Sequence, residues 1–304
     1  MTADNDLGES VPMQNETFGG APRKPAPGLH FIATPIGTAR DITLRALDIL
    51  RMADVLAAED TRTLRHLMEI HGIPLNGRAV VAYHDHNGEQ ARPRLLAALA
   101  EGKSVGYASE AGTPLVADPG FQLGRAAIAE GCDVFAAPGP SAVLAALTVS
   151  GLPSDRFLFA GFPPNTQSAR RKWLSEMADL QATVIFYESP KRVAAMLADL
   201  AETFGPERRA VLCRELTKRF EEVRRGTVAE LIESLETAPI KGEIVVLLDR
   251  PHGPRFGPED IDAALRDRLG RMRVKEAASE VAQALGLPRR EVYQRALALD
   301  RDEE

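Results

Sequence analysis

Short apolar runs alternate with longer segments of helical periodicity between residues 29 and 137. In the first such segment, Leu44, Leu47 and Leu50 share one helical face, and Asp41 is the predicted N-cap. The predicted strands are 29–34, 55–59, 79–83, 104–109 and 132–137, and the predicted helices are 41–52, 61–71, 89–101, 120–130 and 142–149. This alternation predicts a mostly parallel sheet with helices on both faces.

A second α/β pattern follows the Gly/Pro/Ser-containing break at 150–155. Its predicted strands are 156–162, 183–189, 209–216, 221–228 and 242–249, and its predicted helices are 168–180 and 190–203. Strand 221–228 follows its predecessor so closely that we expect the two to pair antiparallel, which makes this sheet mixed. Three further helices are predicted at 259–270, 274–286 and 289–299.

The chain is therefore predicted to be an α/β protein of two domains with a small helical segment at its C-terminal end. The predicted limits are 1–27 for a disordered tail, 28–152 and 153–250 for the two α/β domains, and 251–304 for a linker and the helical segment. The tail is rich in Gly, Pro, Asn and acidic residues and shows no periodicity, which is typical of disorder.

Composition narrows the class of protein further. The 304 residues carry a net charge of −6, which argues against a wholly basic nucleic-acid-binding protein but leaves room for a local basic face. Cys132 and Cys213 are the only cysteines, so we expect neither a disulfide framework nor a cysteine zinc site. An acidic start and the lack of a long apolar run favour a cytoplasmic protein without a membrane segment.

Three loops that follow predicted strands favour a single small-molecule site. Their sequences are TPIGTARD at 34–41, SEAGTPLVADPG at 109–120 and APGPSA at 137–142. Such loops expose backbone N–H and C=O groups to a flat polar ligand. The plainer interpretation, ordinary loops with N-caps from Asp118, Pro119 and Ser141, also accounts for part of them. No GxGxxG or GxxxxGK[ST] motif is present, so a dinucleotide or a nucleoside triphosphate is not expected.

Several charged side chains are candidates for chemistry. Glu59 and Asp60 end a predicted strand beside Arg62, where a capped helix and a cleft carboxylate are equally good interpretations. His84 and His86 invite a metal interpretation, but zinc needs three or four ligands and no further ligand stands at a recognisable spacing. We therefore predict no metal, and loop hydrogen bonding or substrate contact for the histidines.

Basic residues cluster in the second half of the chain. SARRKW at 168–173, FYESPKR at 186–192 and CRELTKR at 213–219 each combine cations with a predicted loop or helix start. The C-terminal stretch 266–295 holds eight Lys or Arg against four Asp or Glu, and its helix–break–helix pattern resembles a helix-turn-helix. Solvated faces and a plain helical bundle are the alternatives; a phosphate backbone is the partner that a basic end favours.

Taken together, these motifs resemble a known family. ATPIGTARDIT, AAEDTR, YHDHN, SEAGTPLVADPG, APGPSA, GLPSDRF, GFPP, FYESPKR, RELTK and the GE of 242–243 occur in this order between about 29 and 299. They are similar to those of the ribosomal RNA small subunit methyltransferase I group in the tetrapyrrole (corrin/porphyrin) methylase superfamily. The resemblance implies two α/β domains with S-adenosylmethionine in a cleft between them, a homodimer, and 2′-O-methylation of a decoding-centre cytidine in free or assembled small-subunit rRNA.

The resemblance also assigns the cofactor loops residue by residue. They are Pro35, Ile36, Gly37, Ser109, Glu110, Ala111, Gly112, Thr113, Pro114, Pro138, Gly139, Pro140, Ser141 and Ala142. Glu110 is a departure, because the family usually has Asp there. A ribose hydroxyl is a poor nucleophile, so a base would help methyl transfer. The candidate bases are Glu188 first, because it ends a second-domain strand, then Glu59 and Asp60, with Glu215 as a further carboxylate.

Two other functions compete with rRNA methylation. A methyltransferase for a tetrapyrrole precursor would share the fold, since fold does not fix function. A non-catalytic RNA-binding assembly protein would keep the cleft without using it. The basic clusters argue against the first alternative, and the intact cofactor loops argue against the second.

Overall fold

The computed structural model describes residues 23–116, 118, 120–237, 240–251, 258–285 and 287–302. The chain divides into two compact units, Met1–Ala145 and Ala146–Glu304, and each contains one five-stranded sheet. Most of the predicted tail, the predicted linker at 252–257 and Pro119 lie outside the described residues. The domain limits drawn from the sequence stay a prediction.

The sheet of the first unit is entirely parallel, as predicted. Its strands, in the spatial order β3-β2-β4-β1-β5, are β1 (Gly28–Ile32), β2 (Val55–Ala58), β3 (Val80–Ala82), β4 (Ser104–Ala108) and β5 (Val134–Ala137). The helices are α1 (Leu44–Met52), α2 (Thr61–Ile70), α3 (Gly88–Ala100), α4 (Gly120–Ala129) and α5 (Ala142–Ser150), which crosses the division between the units. Every residue of β1 and β4 is buried, as expected for central strands covered on both faces.

The helices of the first unit cover opposite faces of this sheet. Helices α1 and α2 pack on one face, where Leu50 and Met68 contact the cluster around Ile32. Helices α3 and α4 pack on the other face, where Leu95 and Leu123 join the cluster around Tyr107. The adjacent strands β1 and β4 thus send their following helices to opposite faces. The carboxyl ends of such a strand pair form the crevice in which open α/β sheets bind ligands.

Helix α1 begins three residues later than predicted, because Thr43 and not Asp41 is its N-cap. The Thr43 hydroxyl accepts a hydrogen bond from the Ala46 N–H at 3.2 Å. Asp41 instead lies in the preceding turn, where its N–H donates to the Thr38 carbonyl at 3.0 Å. Two residues with capping side chains, two positions apart, are hard to rank from sequence alone.

The sheet of the second unit is mixed, as predicted. Its strands, in the order β6-β7-β10-β8-β9, are β6 (Phe157–Gly161), β7 (Thr183–Glu188), β8 (Arg209–Arg214), β9 (Glu222–Thr227) and β10 (Ile244–Leu248). β6 and β7 are parallel, and the other neighbours are antiparallel, including the predicted pair β8 and β9. Helices α6 (Gln167–Ser175), α7 (Val193–Phe204) and α8 (Val228–Thr237) belong to this unit. Helix α7 starts after a turn at 190–192, not at Pro190 as predicted.

The sequence prediction missed helix α8, which follows β9 without a break. Thr227 ends the strand and also caps the helix: its hydroxyl accepts from the Glu230 N–H at 3.2 Å. In return, the Glu230 carboxylate accepts from the Thr227 N–H at 2.7 Å, which completes a capping box. Because one residue serves both elements, no turn residue marks the boundary between them.

Three C-terminal helices are present, as predicted, and they form a small bundle. They are α9 (Pro258–Leu269), α10 (Val274–Leu285) and α11 (Arg289–Asp302). Their shared core consists of buried apolar residues, among them Leu265, Val281, Val292 and Ala296. Within the described parts of the chain, none of the helices combines the length and the apolar character needed to cross a bilayer.

Candidate functional site

Two of the three predicted loops are joined to each other at the carboxyl edge of the parallel sheet. Thr34 and Gly112 form an isolated antiparallel bridge. The Thr34 N–H donates to the Gly112 carbonyl and the Gly112 N–H to the Thr34 carbonyl, with N···O distances of 2.9 and 3.0 Å. The Ser109 hydroxyl donates to the Gly112 carbonyl at 2.7 Å. The Thr34 hydroxyl donates to the Ser109 carbonyl at 3.3 Å. The loops after β1 and β4 therefore form one structure at the switch point between these strands.

The third predicted loop contacts the other two. The Thr113 hydroxyl donates to the Pro140 carbonyl at 2.8 Å. Gly139 packs so closely against Ala33 that a Cβ at this position would lie 2.9 Å from the Ala33 Cβ. Gly112 has a φ of +81°, a conformation that glycine adopts without strain. The structure thus brings residues of all three loops together.

The hydroxyl groups of Thr34, Ser109 and Thr113 donate hydrogen bonds that hold these loops together. Strand-end loops of this kind are expected to offer backbone contacts, and the hydroxyl protons of Ser109 and Thr113 do go to carbonyls of these same loops. Leu115, just after Pro114, is a non-glycine residue with a φ of +70°. Strained backbone of this kind concentrates at ligand sites. What remains available to a ligand is mainly main chain.

Glu59 is the candidate base that lies closest to these loops. Its Oε2 accepts a hydrogen bond from the Glu110 N–H at 3.1 Å, so the carboxylate sits directly against the loop after β4. Burial raises the pKa of Glu59, and the negative charges of Asp118 and Glu110 add to that rise, while the Glu110 N–H opposes it. A carboxylate with a raised pKa is a stronger base than an ordinary one.

Asp118 and Tyr107 are ionisable side chains next to Glu59. The Tyr107 hydroxyl donates to Asp118 Oδ1 at 2.9 Å, and the Gly120 N–H donates to the same oxygen at 2.7 Å. Asp118 therefore caps helix α4, as the plainer interpretation of this loop predicted. Burial, followed by the charge of Asp118, raises the pKa of Tyr107, so the phenol stays protonated.

Asp60 has the structural role that the sequence left open. It accepts from the backbone N–H groups of Arg62 at 2.7 Å and Thr63 at 3.3 Å, and so caps helix α2. The Arg62 guanidinium lies 3.0 Å from Oδ2. Hydrogen bonds from the Arg62 side chain and from these backbone groups lower the pKa of Asp60 to about 2. Such a carboxylate is a weak base.

Glu188, the first candidate base from sequence, is enclosed in the second unit. Its side chain has no exposed surface, and Oε1 accepts from the Ser189 N–H at 2.7 Å. An Arg192 guanidinium nitrogen lies 3.2 Å from Oε2, without hydrogen-bond geometry. Arg192 also donates to the carbonyls of Pro163 and Pro164, at 2.5 and 3.1 Å. This geometry supports a structural role, in which Glu188 holds Arg192 and Arg192 holds the 163–164 loop.

Glu215 belongs to a second group of charges at the same edge of the second sheet. Ile244 pairs with both Glu188 and Arg214, so the ends of β7 and β8 meet the start of β10. Lys218 Nζ donates to Glu215 Oε1 at 3.1 Å and to Glu243 Oε2 at 2.9 Å. The Glu243 N–H, and then Lys218, lower the pKa of Glu215. Glu215 is therefore a paired carboxylate and a poor base.

Most cations of the predicted basic clusters are neutralised within the second unit. Arg170 is buried and lies 2.6 Å from Asp199 Oδ2, and Arg171 lies 2.7 Å from Asp199 Oδ1. With Arg192 and Lys218 also paired, these clusters are not free basic surfaces. The excess of cations that the sequence showed there reflects internal ion pairs. The partner of Arg170 and Arg171 is distant in the chain, whereas Arg192 and Lys218 pair with carboxylates three or four residues away.

The two histidines of YHDHN lie near each other but form no recognisable metal site. Their ring centroids are 6.1 Å apart, edge to face. The His84 N–H donates to Asn87 Oδ1 at 2.8 Å, which places this segment in an ordinary hydrogen-bonded turn. Among the residues described by the structure, no group of three His, Cys, Asp or Glu could hold a metal ion.

A switch-point crevice in a parallel sheet, followed by a mixed five-stranded sheet, is the arrangement of a known class of α/β methylases. The family model for tetrapyrrole (corrin/porphyrin) methylases matches residues 28–232, and the chain belongs to this family. A second model, for the RsmI C-terminal HTH domain, matches residues 257–300. The chain is thus a methyltransferase, and the family uses S-adenosylmethionine, as the resemblance implied.

Relatives that align with nearly the whole chain indicate which group of this family it is similar to. A protein of Mesorhizobium japonicum, named ribosomal RNA small subunit methyltransferase I, is 48% identical over 90% of this chain and 92% of its own length. A protein of the same name from Xylella fastidiosa is 43% identical over 87% of this chain and 97% of its own length. These findings confirm the resemblance to this group that the sequence motifs indicated.

A solved structure supports the fold independently. Uroporphyrin-III C-methyltransferase from Thermus thermophilus, in complex with S-adenosyl homocysteine, aligns with a TM-score of 0.51 and 18% identity. The alignment covers 73% of this chain and 97% of that one. At this identity the likeness shows the fold alone.

Proposed function

We propose that this enzyme transfers a methyl group from S-adenosylmethionine to small-subunit rRNA, at the ribose 2′-oxygen of a decoding-centre cytidine. The relatives that share nearly all of its length carry the name of a small-subunit rRNA methyltransferase. The position of the methyl group rests on the family resemblance of the sequence motifs. Free rRNA and the assembled small subunit are both compatible substrates.

The observation that carries this proposal is the joined set of loops in the first unit. The Thr34–Gly112 bridge and the Thr113–Pro140 hydrogen bond hold three loops at one crevice. The loops combine small residues, main-chain donors and acceptors, and no glycine-rich phosphate motif. This set of groups fits a ligand such as S-adenosylmethionine, which has polar edges and no phosphate. Residues 35–37, 109–114 and 138–142 would hold it.

S-adenosylmethionine supplies the methyl group as an electrophilic sulfonium. The protein's part is to align the 2′-oxygen with the methyl carbon and to exclude water, since orientation alone can supply much of the rate of such a displacement. The bridged loops are suited to this task because their hydroxyls already fix the main chain. No large rearrangement of side chains is then needed to form the binding surface.

Glu59 is the residue we propose as acceptor of the 2′-hydroxyl proton. Of the other two candidate carboxylates, Asp60 caps a helix and Glu188 is enclosed beside Arg192. Glu59 alone lies against a cofactor loop and has a raised pKa, caused first by burial. General base catalysis of this kind contributes roughly 10²- to 10⁴-fold in rate.

Methyl transfer to small subunits from a strain that lacks the gene tests the proposed function. The subunits would be incubated with the enzyme and radiolabelled S-adenosylmethionine, and the rRNA digested to nucleosides. We expect the label in 2′-O-methylcytidine. Label in a base-methylated nucleoside would contradict the 2′-O position, and no incorporation, with transfer to a tetrapyrrole precursor instead, would contradict the substrate.

Glu59→Gln tests the proposed base in the same assay. The amide oxygen can still accept the Glu110 N–H, so the loop keeps its hydrogen bond. We expect S-adenosylmethionine to bind as tightly as to the wild type, while the single-turnover rate falls by about 10²-fold or more. Asp60→Asn is the matched carboxylate control. A Glu59→Gln variant with the wild-type rate would remove Glu59 from the mechanism.

We also propose that the enzyme is a homodimer and that it works in the cytoplasm. The dimer is implied by the family resemblance, and the location by the composition of the chain. Sedimentation equilibrium of the purified protein tests the first part. A monomer mass at micromolar concentration would contradict it. Fractionation of cells tests the second, through the share of protein that stays with the cytoplasmic ribosomes.

A further inference from the structure

The C-terminal bundle of helices α9–α11 carries a local excess of positive charge on an acidic chain. Residues 266–295 contain eight Lys or Arg and four Asp or Glu, whereas the whole chain has a net charge of −6. The bundle has its own buried core, so these charges lie around a folded element. Arg266 lies close enough to Asp262 for its charge to lower the pKa of that carboxyl. The ion pairs separate the other seven cations into two sets.

One set holds the bundle together. Arg295 Nη2 donates to Asp262 Oδ2 at 2.8 Å and so links α11 to α9. Arg268 lies 3.4 Å from Glu280 and links α9 to α10. Arg271, on the turn after α9, lies 3.0 Å from Asp267 in the last turn of that helix. These three arginines have structural partners and are largely neutralised.

The other set consists of Arg273, Lys275, Arg289 and Arg290, which we call the terminal cations. All four are exposed, and within the described residues none has an ion-pair or side-chain hydrogen-bond partner. Arg273 directly precedes α10, where its carbonyl accepts from the Glu276 N–H at 2.9 Å. Lys275 lies in the first turn of α10, and Arg289 and Arg290 in the first turn of α11.

The position of the terminal cations is unfavourable for helix stability. The N-terminus of a helix carries a partial positive charge, so a cation there destabilises the helix by a few tenths of a kcal/mol or more. Helix stability therefore does not explain four exposed cations at two helix starts. An anionic partner does, because it would interact favourably with the cations and with both helix N-termini.

The connection between α10 and α11 identifies the kind of anion. In a helix-turn-helix, the start of the second helix contacts the nucleic acid and the first helix lies across its backbone. The terminal cations occupy both of these positions, and residues 257–300 match a family model described as an HTH domain. A nucleic-acid backbone offers phosphates at regular spacing to such a pair of helix starts.

We propose that the terminal cations bind the phosphodiester backbone of the substrate RNA and provide affinity without reading its sequence. This inference rests on the proposed function for the choice of RNA over DNA. The deep, narrow major groove of A-form RNA does not admit side chains to the base edges. Contacts to phosphates, with strong salt dependence, are then what this surface can make.

The experiment compares RNA binding by the full chain and by a variant with all four terminal cations changed to Gln (R273Q, K275Q, R289Q, R290Q). Binding of a labelled small-subunit rRNA hairpin would be followed by fluorescence anisotropy at several salt concentrations. We expect the affinity at about 0.1 M salt to fall about tenfold or more, and the slope of log K against log salt to become shallower by about three. The KM for RNA rises correspondingly.

Two matched variants serve as controls. Changing Arg45, Arg65, Arg94 and Lys172 to Gln removes the same charge from exposed positions elsewhere. We expect RNA affinity close to that of the wild type. Exchanging Arg273, Arg289 and Arg290 for Lys keeps the charge and should keep the affinity. Circular dichroism and S-adenosylmethionine binding of each variant verify that the fold is intact.

The outcomes separate this inference from the proposed function. If the wild type methylates rRNA but the four-Gln variant binds RNA with the wild-type salt slope, the inference is wrong and the function stands. If the control variant with Arg45, Arg65, Arg94 and Lys172 changed to Gln loses as much RNA affinity, the effect comes from net charge alone and the inference is again wrong. If the variant loses RNA binding but the wild type methylates no RNA, the function fails. Tighter binding of duplex DNA than of RNA overturns the choice of partner.

Discussion

Substituting Gly139 by Ala tests whether the loop after β5 belongs to the cofactor site. The new Cβ would lie 2.9 Å from the Ala33 Cβ, whereas carbon atoms pack at about 3.5–4.0 Å. Ala33 is buried and has no rotamer to change, and its N–H donates to the Ala137 carbonyl at 3.2 Å. The loop around Gly139 must therefore move by about 0.6–1.1 Å to reach that packing distance.

This displacement should lower both the free energy of unfolding and the affinity for S-adenosylmethionine. Overpacking typically destabilises a protein by about 1–3 kcal/mol, and loss of the Thr113–Pro140 hydrogen bond adds about 1 kcal/mol. We expect the free energy of unfolding to fall by about 2–4 kcal/mol, the sum of these two costs. We expect the affinity for S-adenosylmethionine to fall about tenfold, which corresponds to about 1.4 kcal/mol.

Calorimetric titration with S-adenosylmethionine and urea unfolding measure the two quantities separately. Gly270→Ala is the matched control, because a Cβ there would meet nothing within 4 Å. It should change neither the affinity nor, beyond a few tenths of a kcal/mol, the stability. If Gly139→Ala is destabilised but binds S-adenosylmethionine like the wild type, the loop at 138–142 lies outside the cofactor site and the reasoning is refuted.

Three further predictions concern stability. Asp199→Ala leaves the buried Arg170 guanidinium without its partner and should lower the free energy of unfolding in urea by about 3–5 kcal/mol; a loss below 1 kcal/mol would contradict a role for this pair. Thr227→Ala removes the cap of α8 and should cost about 1 kcal/mol in the same assay, whereas Thr227→Ser should cost much less. Burial raises the pKa of Asp54, but hydrogen bonds from Lys24 and Ser104 outweigh it and lower the pKa from 3.8 to about 2. The stability that this carboxylate contributes is therefore present above pH 3.8 and lost as the pH falls towards 2, and urea unfolding of Asp54→Asn should lack this part of the pH dependence.

Local periodicity predicted the two sheets well because burial imposes it directly on the sequence. The fully buried strands β1 and β4 appear as short apolar runs, and the positive-φ glycines Gly72, Gly102 and Gly131 come directly after the predicted helices 61–71, 89–101 and 120–130. Helix α8 was missed although its apolar residues have helical spacing. The pair Thr227 and Glu230, three residues apart, was the signal that could have found it.

The candidate site was harder to predict, because the partner of a charged residue is often distant in the chain. Arg170 and Asp199 are 29 residues apart, and only the packing of α6 against α7 brings them together. Glu188 and Arg192 are an i,i+4 pair, so their contact could have been expected from spacing. Spacing cannot show, however, that this pair is enclosed. Burial is the observation that favours a structural role for Glu188 over the catalytic role expected from the sequence.

The loop after β4 accommodates Glu110 at a position where the family resemblance leads us to expect Asp. The contact that fixes this residue uses its backbone: its N–H donates to Glu59 at 3.1 Å, and its side chain is exposed. An additional methylene therefore extends the carboxylate outward and leaves the hydrogen bond to Glu59 in place. The negative charge of Glu110 also helps to raise the pKa of Glu59. Because charge acts through space and the N–H is common to both residue types, Glu and Asp can both support the proton acceptor that we propose at position 59.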